Sequence, residues 1–278
     1  MRKWNAIWLG CAAILCSSSE AGALDIIACG DSVPRGRIGD LVTDLDCPSP
    51  GPGELENGVT IERGGALRMN GHLVRGGFAA IRCEGSCIIE GPGEVSGNPD
   101  QRFGIVGRRR MILRDVHVHD LPEPATDGIQ VLPGRLEATD VVVERVGQTG
   151  VQAGKLIAER LRVAESFRGI EVRSVTAVDV VIEDNGTGAH VTGRATATNL
   201  VVRNNTTNGL LARAVRLGNI RLALSLFAIS VRRDQTVDHQ AQQCGRHGRD
   251  RKPFHHPHPG WPRLVWLAPF APYLSIVP

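Results

Sequence analysis

The sequence predicts an all-β protein, a right-handed parallel β-helix (β-solenoid) with coils of about 19 to 24 residues. A glycine followed by an apolar, a variable and an apolar residue recurs along the chain at intervals of 22, 19, 19 and 21 residues. A second short apolar segment separates successive copies. The five clearest copies of the repeat are Gly128-Ile129-Gln130-Val131, Gly150-Val151-Gln152-Ala153, Gly169-Ile170-Glu171-Val172, Gly188-Ala189-His190-Val191 and Gly209-Leu210-Leu211-Ala212.

Each segment alternates over a few residues and is bounded by Gly, Asn or Asp, which is typical of strands and not of helices. One coil cannot bury its apolar face alone, so neighbouring coils must stack. Trp and Tyr are absent from residues 24–260, which predicts a core of small and branched side chains. Asn185, Asn204 and Asn205 follow the second short strand of adjacent coils. We expect tight turns there, because Asn tolerates left-handed backbone.

Other repetitive or β-rich architectures fit the sequence less well. A leucine-rich repeat needs a Leu-x-x-Leu-x-Leu ladder, which this chain lacks. An immunoglobulin-like sandwich has strands of similar length but does not repeat one pattern at a fixed interval. Stacked β-coils are the interpretation that remains.

Both ends of the chain differ from the repeats. Residues 1–23 have the charged, apolar and A-x-A regions of a secretory signal, with cleavage predicted after Ala23. The apolar run spans only 13 residues, whereas a membrane span needs about 20. We therefore predict an N-terminal cap over 24–57, the β-helix over 58–231 and no membrane span. Residues 232–278 are either an irregular cap or a truncated or frameshifted end, and their His255-His256-Pro257-His258 cluster is not taken as a metal site.

The cysteines and the charge refine this prediction. An exported chain meets an oxidising environment, where Cys29 with Cys47 and Cys83 with Cys87 are the natural disulfide pairs. With Cys244 the exported chain has five cysteines, so at least one stays free; the rival interpretation, a metal site, lacks a second C-x-x-C motif. The formal charge of +3 falls to −1 over residues 24–232, so nothing there favours nucleic acid or a membrane.

Four stretches carry a resemblance to a known family. They are Cys29-Gly30-Asp31-Ser32-Val33, Leu41-Val42-Thr43-Asp44-Leu45-Asp46-Cys47, Gly58-Val59-Thr60-Ile61 and Leu67-Arg68-Met69-Asn70-Gly71-His72-Leu73-Val74. The chain resembles bacterial right-handed β-helix repeat proteins of the pectin-lyase-like fold over roughly residues 29–231. It departs from their Leu-Asp-Leu-Asn-Gly-His pattern at Arg68 and Met69. Membership implies a fold more than a chemistry, because this fold supports many functions.

A candidate catalytic site lies on the outward side of the first strand of each coil. Successive outward residues there are Gln130, Gln152, Glu171, His190 and Leu211, while Asp127, Arg168 and Arg173 flank the strand. We expect Asp127, Arg168, Glu171 and His190 to bring an acid, a base and a guanidinium group together. The alternative is an ordinary solvated strand face.

The resemblance implies two chemistries. Uronate lyases of this fold use Arg or Lys as the base and often carboxylate-bound calcium, and its hydrolases use clustered Asp residues. Thr126-Asp127-Gly128-Ile129 resembles one polygalacturonase motif, but the Asp-Asp, Gly-His-Gly and Arg-Ile-Lys elements are absent. The cofactor is therefore undetermined, with calcium expected only for a lyase.

His117, His119 and Asp120 also suggest a metal pair. The stripe through His117 continues as Val142, Arg162, Val181, Val201 and Arg221. Because this stripe supplies no further ligand, we predict a surface position and no metal. His72 is assigned to the Asn-Gly-His turn of the first coil.

The sequence thus predicts an exported, secreted or periplasmic β-helix that binds or cleaves extracellular polysaccharide as a lyase or hydrolase. The alternative is a non-enzymatic structural or adhesin-like surface solenoid, favoured by the missing motifs and by the absence of Trp and Tyr for sugar stacking. Neither the substrate nor the oligomeric state follows from the residues.

Overall fold

The structure, a computed structural model, describes residues 22–48, 56–121, 126–223 and 227–231, with side chains up to residue 221. Over these residues the protein is all-β without a helix, and its parallel strands stack as a β-solenoid of about seven turns. The predicted fold class is confirmed. The predicted tail, 232–278, and all but the end of the predicted signal lie outside the described residues.

Fifteen strands make up the solenoid, several of them running continuously around coil corners. They are β1 (Leu24–Ile26), β2 (Asp31–Val33), β3 (Ile38–Leu41), β4 (Leu45–Cys47), β5 (Val59–Ile61), β6 (Ala66–Arg68), β7 (Leu73–Gly76), β8 (Ala79–Cys83), β9 (Cys87–Ser96), β10 (Phe103–Gly107), β11 (Arg110–Leu121), β12 (Asp127–Glu183), β13 (Thr187–Arg203), β14 (Asn208–Ala223) and β15 (Phe227–Val231).

Every pairing between these strands is parallel, and each strand pairs with its equivalents on neighbouring coils. β2, β3 and β4 already pair with β5, β6 and β7, so residues 31–47 have the layout of a coil. From there the pairing passes through β8 to β11 into β12, and then through β13 and β14 to β15. Equivalent residues of successive coils therefore form columns along the solenoid axis.

The inward columns form one continuous core. Ile81 pairs with Ile105, Ile105 pairs with Ile129, and all three side chains are fully buried. Further along, Ile170 pairs with Ala189. Alanine becomes frequent in these later coils, and an apolar cavity lies among their inward side chains.

The glycine of the repeat is required by the close approach of adjacent coils. A Cβ on Gly104 would lie 2.6 Å from the carbonyl oxygen of Gly128, and a Cβ on Gly128 would lie 2.6 Å from that of Gly150. Real Cβ atoms do not approach a backbone oxygen so closely. The repeat therefore begins with the one residue that lets the coils stack at strand spacing.

Residues with left-handed backbone form a column at one corner of successive coils. Asp179, Asn199 and Asn219 have φ values of 54°, 54° and 49° and stand on successive coils. Their side chains form a ladder, since the amide of Asn199 donates to Asp179 and that of Asn219 donates to Asn199, each over 2.6 Å. Asp and Asn suit these positions because they tolerate left-handed backbone better than other non-glycine residues.

The structure contains both predicted disulfides. Cys29 is bonded to Cys47 with their Cα atoms 5.5 Å apart. Cys83 is bonded to Cys87 and links the end of β8 to the start of β9. Across the described residues, no helix has the length and hydrophobicity needed to cross a membrane.

Candidate functional site

The predicted first-strand site is a line of outward polar side chains, here called the polar stripe and defined as Asp127, Gln130, Gln152, Glu171 and His190. Gln130 stands between the buried Ile129 and Val131, as the alternation predicts. Its side-chain amide donates to Oε1 of Gln152, one coil further, over 2.8 Å. A hydrogen bond within the stripe therefore joins these two coils.

Glu171 and His190 continue this line on the next two coils. They are register partners across β12 and β13, and Nδ1 of His190 lies 3.9 Å from Oε1 of Glu171. Arg168 donates to the other carboxylate oxygen of Glu171 over 3.1 Å. The structure thus brings together three of the four predicted catalytic residues, with the acid between a base and a guanidinium group.

Asp127 is more deeply placed than the rest of the polar stripe. Its Oδ1 accepts from the backbone N–H of Thr149 over 3.2 Å, and its Oδ2 accepts from Gln130 over 3.0 Å. Burial raises the pKa of the Asp127 carboxyl, and the charge of Glu171 acts in the same direction. The hydrogen bonds from Thr149 and Gln130 oppose this shift without cancelling it.

Phe167 is a feature of this region that sequence reasoning missed. Its side chain is 63% exposed, although large apolar side chains elsewhere in the solenoid are mostly buried. The guanidinium carbon of Arg168 lies 5.6 Å from the centre of the Phe167 ring, within cation–π distance. A lone Phe between Ser166 and Arg168, in a region poor in aromatic residues, was the available signal.

Calcium does not fit the polar stripe as the structure presents it. Calcium takes six to eight oxygen ligands, usually from several carboxylates. Within the described ranges, the stripe does not gather three carboxylate, imidazole or thiol ligands at one point. We therefore derive no step through calcium.

A second cluster lies on β9 and β11, and it corrects the prediction that no further ligand accompanies His117. Glu94 is the register partner of His117 on the preceding coil. One ligand atom from each of Glu94, His117 and His119 can be chosen so that all three lie within 4.8 Å of one another. We call these three residues the histidine cluster.

The histidine cluster is held by a network of charged groups around it. Nδ1 of His119 lies 2.7 Å from Oδ2 of Asp120, and Nε2 of His117 lies 3.3 Å from Oε1 of Glu144. Arg145 donates to both Asp120 and Glu144. The hydrogen bond from Arg145 is the largest cause that lowers the pKa of Asp120, and the hydrogen bond with His119 is the second.

Glu94 was not predicted as a ligand, because it lies on the coil before His117 and the stripe toward the later coils contains no ligand. The pairing of β9 with β11 contains a register shift between Arg114 and Val116. This irregularity hides the alignment of Glu94 with His117 from a search at fixed intervals. His72, in contrast, pairs with a single carboxylate: its Nδ1 lies 3.1 Å from Oδ1 of Asp44.

No family model, curated protein or solved structure matches this chain. The parallel β-solenoid is shown by the structure, while membership of the pectin-lyase-like family stays a prediction. A β-solenoid with two disulfides fits an extracellular surface protein.

Proposed function

We propose that this protein is an exported β-solenoid that binds an extended polysaccharide along the polar stripe. The observation that carries the proposal is the row of outward polar side chains on successive coils, with Gln130 hydrogen-bonded to Gln152 and Glu171 in register with His190. Parallel strands repeat about every 4.8 Å, so amide, carboxylate and imidazole groups recur along the axis at that spacing. A linear chain of hydroxyl-bearing sugars lying along the axis would meet a donor or acceptor on each coil.

Phe167 adds an apolar contact beside these polar groups. An exposed aromatic ring offers a flat surface on which the apolar face of a sugar ring can stack. Arg168 lies against this ring and pairs with Glu171. A guanidinium group in that position also suits the carboxylate of a uronic acid.

Binding is tested with the exported protein against soluble polygalacturonate, alginate and a neutral β-glucan, by isothermal titration calorimetry and affinity electrophoresis. We expect at least one polymer to bind, and Phe167→Ala or Gln152→Ala to weaken binding by about tenfold or more, equivalent to ~1.4 kcal/mol. Thr198→Ala, an exposed change on another strand of the coil, is the matched control. Failure of all three polymers to bind, or equal binding by all variants, would contradict the proposal.

Hydrolysis of the bound polymer is a second candidate function, favoured by the raised pKa of Asp127 in the same stripe as Glu171. Carboxyl groups in different environments divide the roles of acid and base. Asp127 would protonate the glycosidic oxygen as the bond to the anomeric carbon breaks. Glu171 would accept a proton from the water that attacks this carbon.

The spacing of the two carboxyl groups predicts the stereochemistry of cleavage. Asp127 and Glu171 lie two coils apart, which corresponds to about 10 Å between their backbones. Inverting hydrolases hold their carboxyl groups about 6.5–9.5 Å apart, and retaining enzymes hold them much closer. We therefore expect inversion at the anomeric carbon, with His190 and Arg168 positioning Glu171.

Cleavage is measured as new reducing ends, and separately as absorbance from the unsaturated products that a lyase would form. Asp127→Asn and Glu171→Gln are expected to abolish new reducing ends while binding persists. Binding without products would contradict hydrolysis and leave a binding solenoid. Unsaturated products would replace hydrolysis with lyase chemistry.

A further inference from the structure

We infer that Glu94, His117 and His119 form a binding site for a divalent transition metal of the Zn²⁺ class. Two imidazoles and one carboxylate are a ligand set that zinc accepts, with the fourth position left for water. The proposal does not depend on the polysaccharide function, because the histidine cluster lies on β9 and β11 and the polar stripe lies on other strand segments.

The geometry around His119 is the first argument. Its Nδ1 faces Oδ2 of Asp120 at 2.7 Å, and its Nε2 faces Oε2 of Glu94 at 3.3 Å. A carboxylate accepts hydrogen bonds, so a ring that donates from Nδ1 to Asp120 presents its Nε2 and the Glu94 carboxylate as two adjacent metal-ligand atoms.

The separation of these two atoms suits a metal ion. Zinc bonds of about 2.0–2.2 Å at tetrahedral angles place neighbouring ligand atoms about 3.3–3.6 Å apart. His117 is the next outward residue before His119, and the two ring centres are 4.4 Å apart. A small rotation of the His117 ring or of the Glu94 side chain would complete a three-ligand set.

The charges around the cluster single out Glu94 as the carboxylate available for a cation. Glu144 is paired with Arg145 and Arg162, and Asp120 is paired with Arg145. Within the described part of the chain, Glu94 has no arginine partner and its ion pair is with His119. Its side chain is 55% exposed, so a metal ion can reach it from solvent.

The surrounding contacts supply the orientation that metal-binding histidines need. A histidine ligand usually donates its other ring N–H to a carboxylate, which fixes the tautomer and the ring. Asp120 does this for His119, and Arg145 fixes Asp120 through bonds of 2.5 Å and 3.3 Å. β9 itself pairs with β7 on one side and β11 on the other, which holds Glu94 in place.

The test is isothermal titration of the metal-free exported protein with Zn²⁺, and with Co²⁺ to obtain a visible ligand-field spectrum. The cysteine and histidines of the tail are replaced in all samples, so that a tail site cannot contribute; they are Cys244, His239, His247, His255, His256 and His258. We expect one Zn²⁺ per chain and a Co²⁺ spectrum of low-coordinate nitrogen and oxygen ligation. His117→Ala, His119→Ala and Glu94→Gln should each weaken Zn²⁺ binding by about 100-fold or more, and Asp120→Asn by about 10- to 100-fold.

His72→Ala is the matched control, because it removes a histidine side chain from a His–carboxylate pair and keeps the backbone carbonyl that accepts from the N–H of Glu94. It should leave Zn²⁺ binding unchanged. Circular dichroism and thermal unfolding of each variant show whether the solenoid is intact. A protein that binds no Zn²⁺ would overturn the proposal. Binding that survives His119→Ala in a folded protein would overturn it equally.

Discussion

The backbone N–H of Asn185 donates to the side-chain oxygen of Asn205, its equivalent on the next coil, over 3.1 Å. Both side chains are fully buried. The Asn185 amide also donates to the carbonyl oxygens of Val163 and Glu183, and its oxygen accepts from the N–H of Ser166. This internal ladder supplies hydrogen bonds to backbone groups at a corner, where the pairing between strands does not reach them.

Replacing Asn185 with alanine should therefore be strongly destabilising. The change leaves two carbonyls and one N–H buried without these partners, and each such group costs about 1–3 kcal/mol. We expect the free energy of unfolding to fall by at least ~3 kcal/mol in urea denaturation. Asn204→Gly is the control, because Asn204 is exposed with φ of 54° and glycine accepts this conformation. Equal stability of the two variants would contradict the ladder's role.

This ladder shows how far the sequence could predict the turns. The intervals between asparagines correctly indicated corners on adjacent coils. The left-handed residues, however, are Asp184 and Asn204, while Asn185 and Asn205 point inward. Both kinds of position favour Asn, for backbone conformation in one case and for hydrogen bonding in the other, so composition alone could not separate them.

The candidate site residues were likewise predictable only where the coils repeat regularly. Regular spacing from Gly128 to Gly209 was enough to predict that Glu171 and His190 stack on adjacent coils, as the register confirms. Glu94 lies in a coil with an irregular register, where counting residues fails. Exposure of Phe167 was also beyond the pattern, because it depends on where a corner side chain points.

The two disulfides should differ in their effect on stability. Cys29 and Cys47 are 18 residues apart, and Cys83 and Cys87 are 4 apart. A disulfide restricts the unfolded chain more when it closes a longer loop. Replacing the first pair with serine should therefore lower the free energy of unfolding by ~3 kcal/mol, and replacing the second pair by ~2 kcal/mol. Non-reducing peptide mapping should link each pair. Free thiols at Cys29 and Cys47 in the exported protein would contradict the assignment.

The alternation along the first strand predicts opposite results for neighbouring substitutions. Ile170 is 3% exposed and lines the apolar cavity, whereas Glu171 faces outward. Ile170→Ala should lower the free energy of unfolding by roughly 2–5 kcal/mol. Glu171→Ala should change it by no more than about 0.5 kcal/mol. Comparable losses in chemical denaturation would show that the strand does not alternate as described.

The last prediction concerns acid stability and Glu183, which is almost fully buried between two arginines. Arg162 donates to one carboxylate oxygen over 2.8 Å and Arg203 to the other over 2.5 Å. Burial acts to raise the pKa of Glu183, but hydrogen bonds from Arg203 and Arg162 outweigh it and the pKa is lowered.

A carboxylate with a lowered pKa in the folded state stabilises the protein above its unfolded pKa of about 4.3. This contribution is lost as the pH falls through the folded-state pKa, because the protonated carboxyl no longer carries the charge that pairs with the two arginines. Glu183→Gln removes the charge at every pH, so its destabilisation relative to the wild type should be largest near pH 7 and should shrink below about pH 4. Urea unfolding at pH 7, 5, 4 and 3 measures this difference, and Glu159→Gln, a change at an exposed carboxylate, is the control. A difference that is constant across this range would mean that the Glu183 carboxylate is not stabilised by its two arginines.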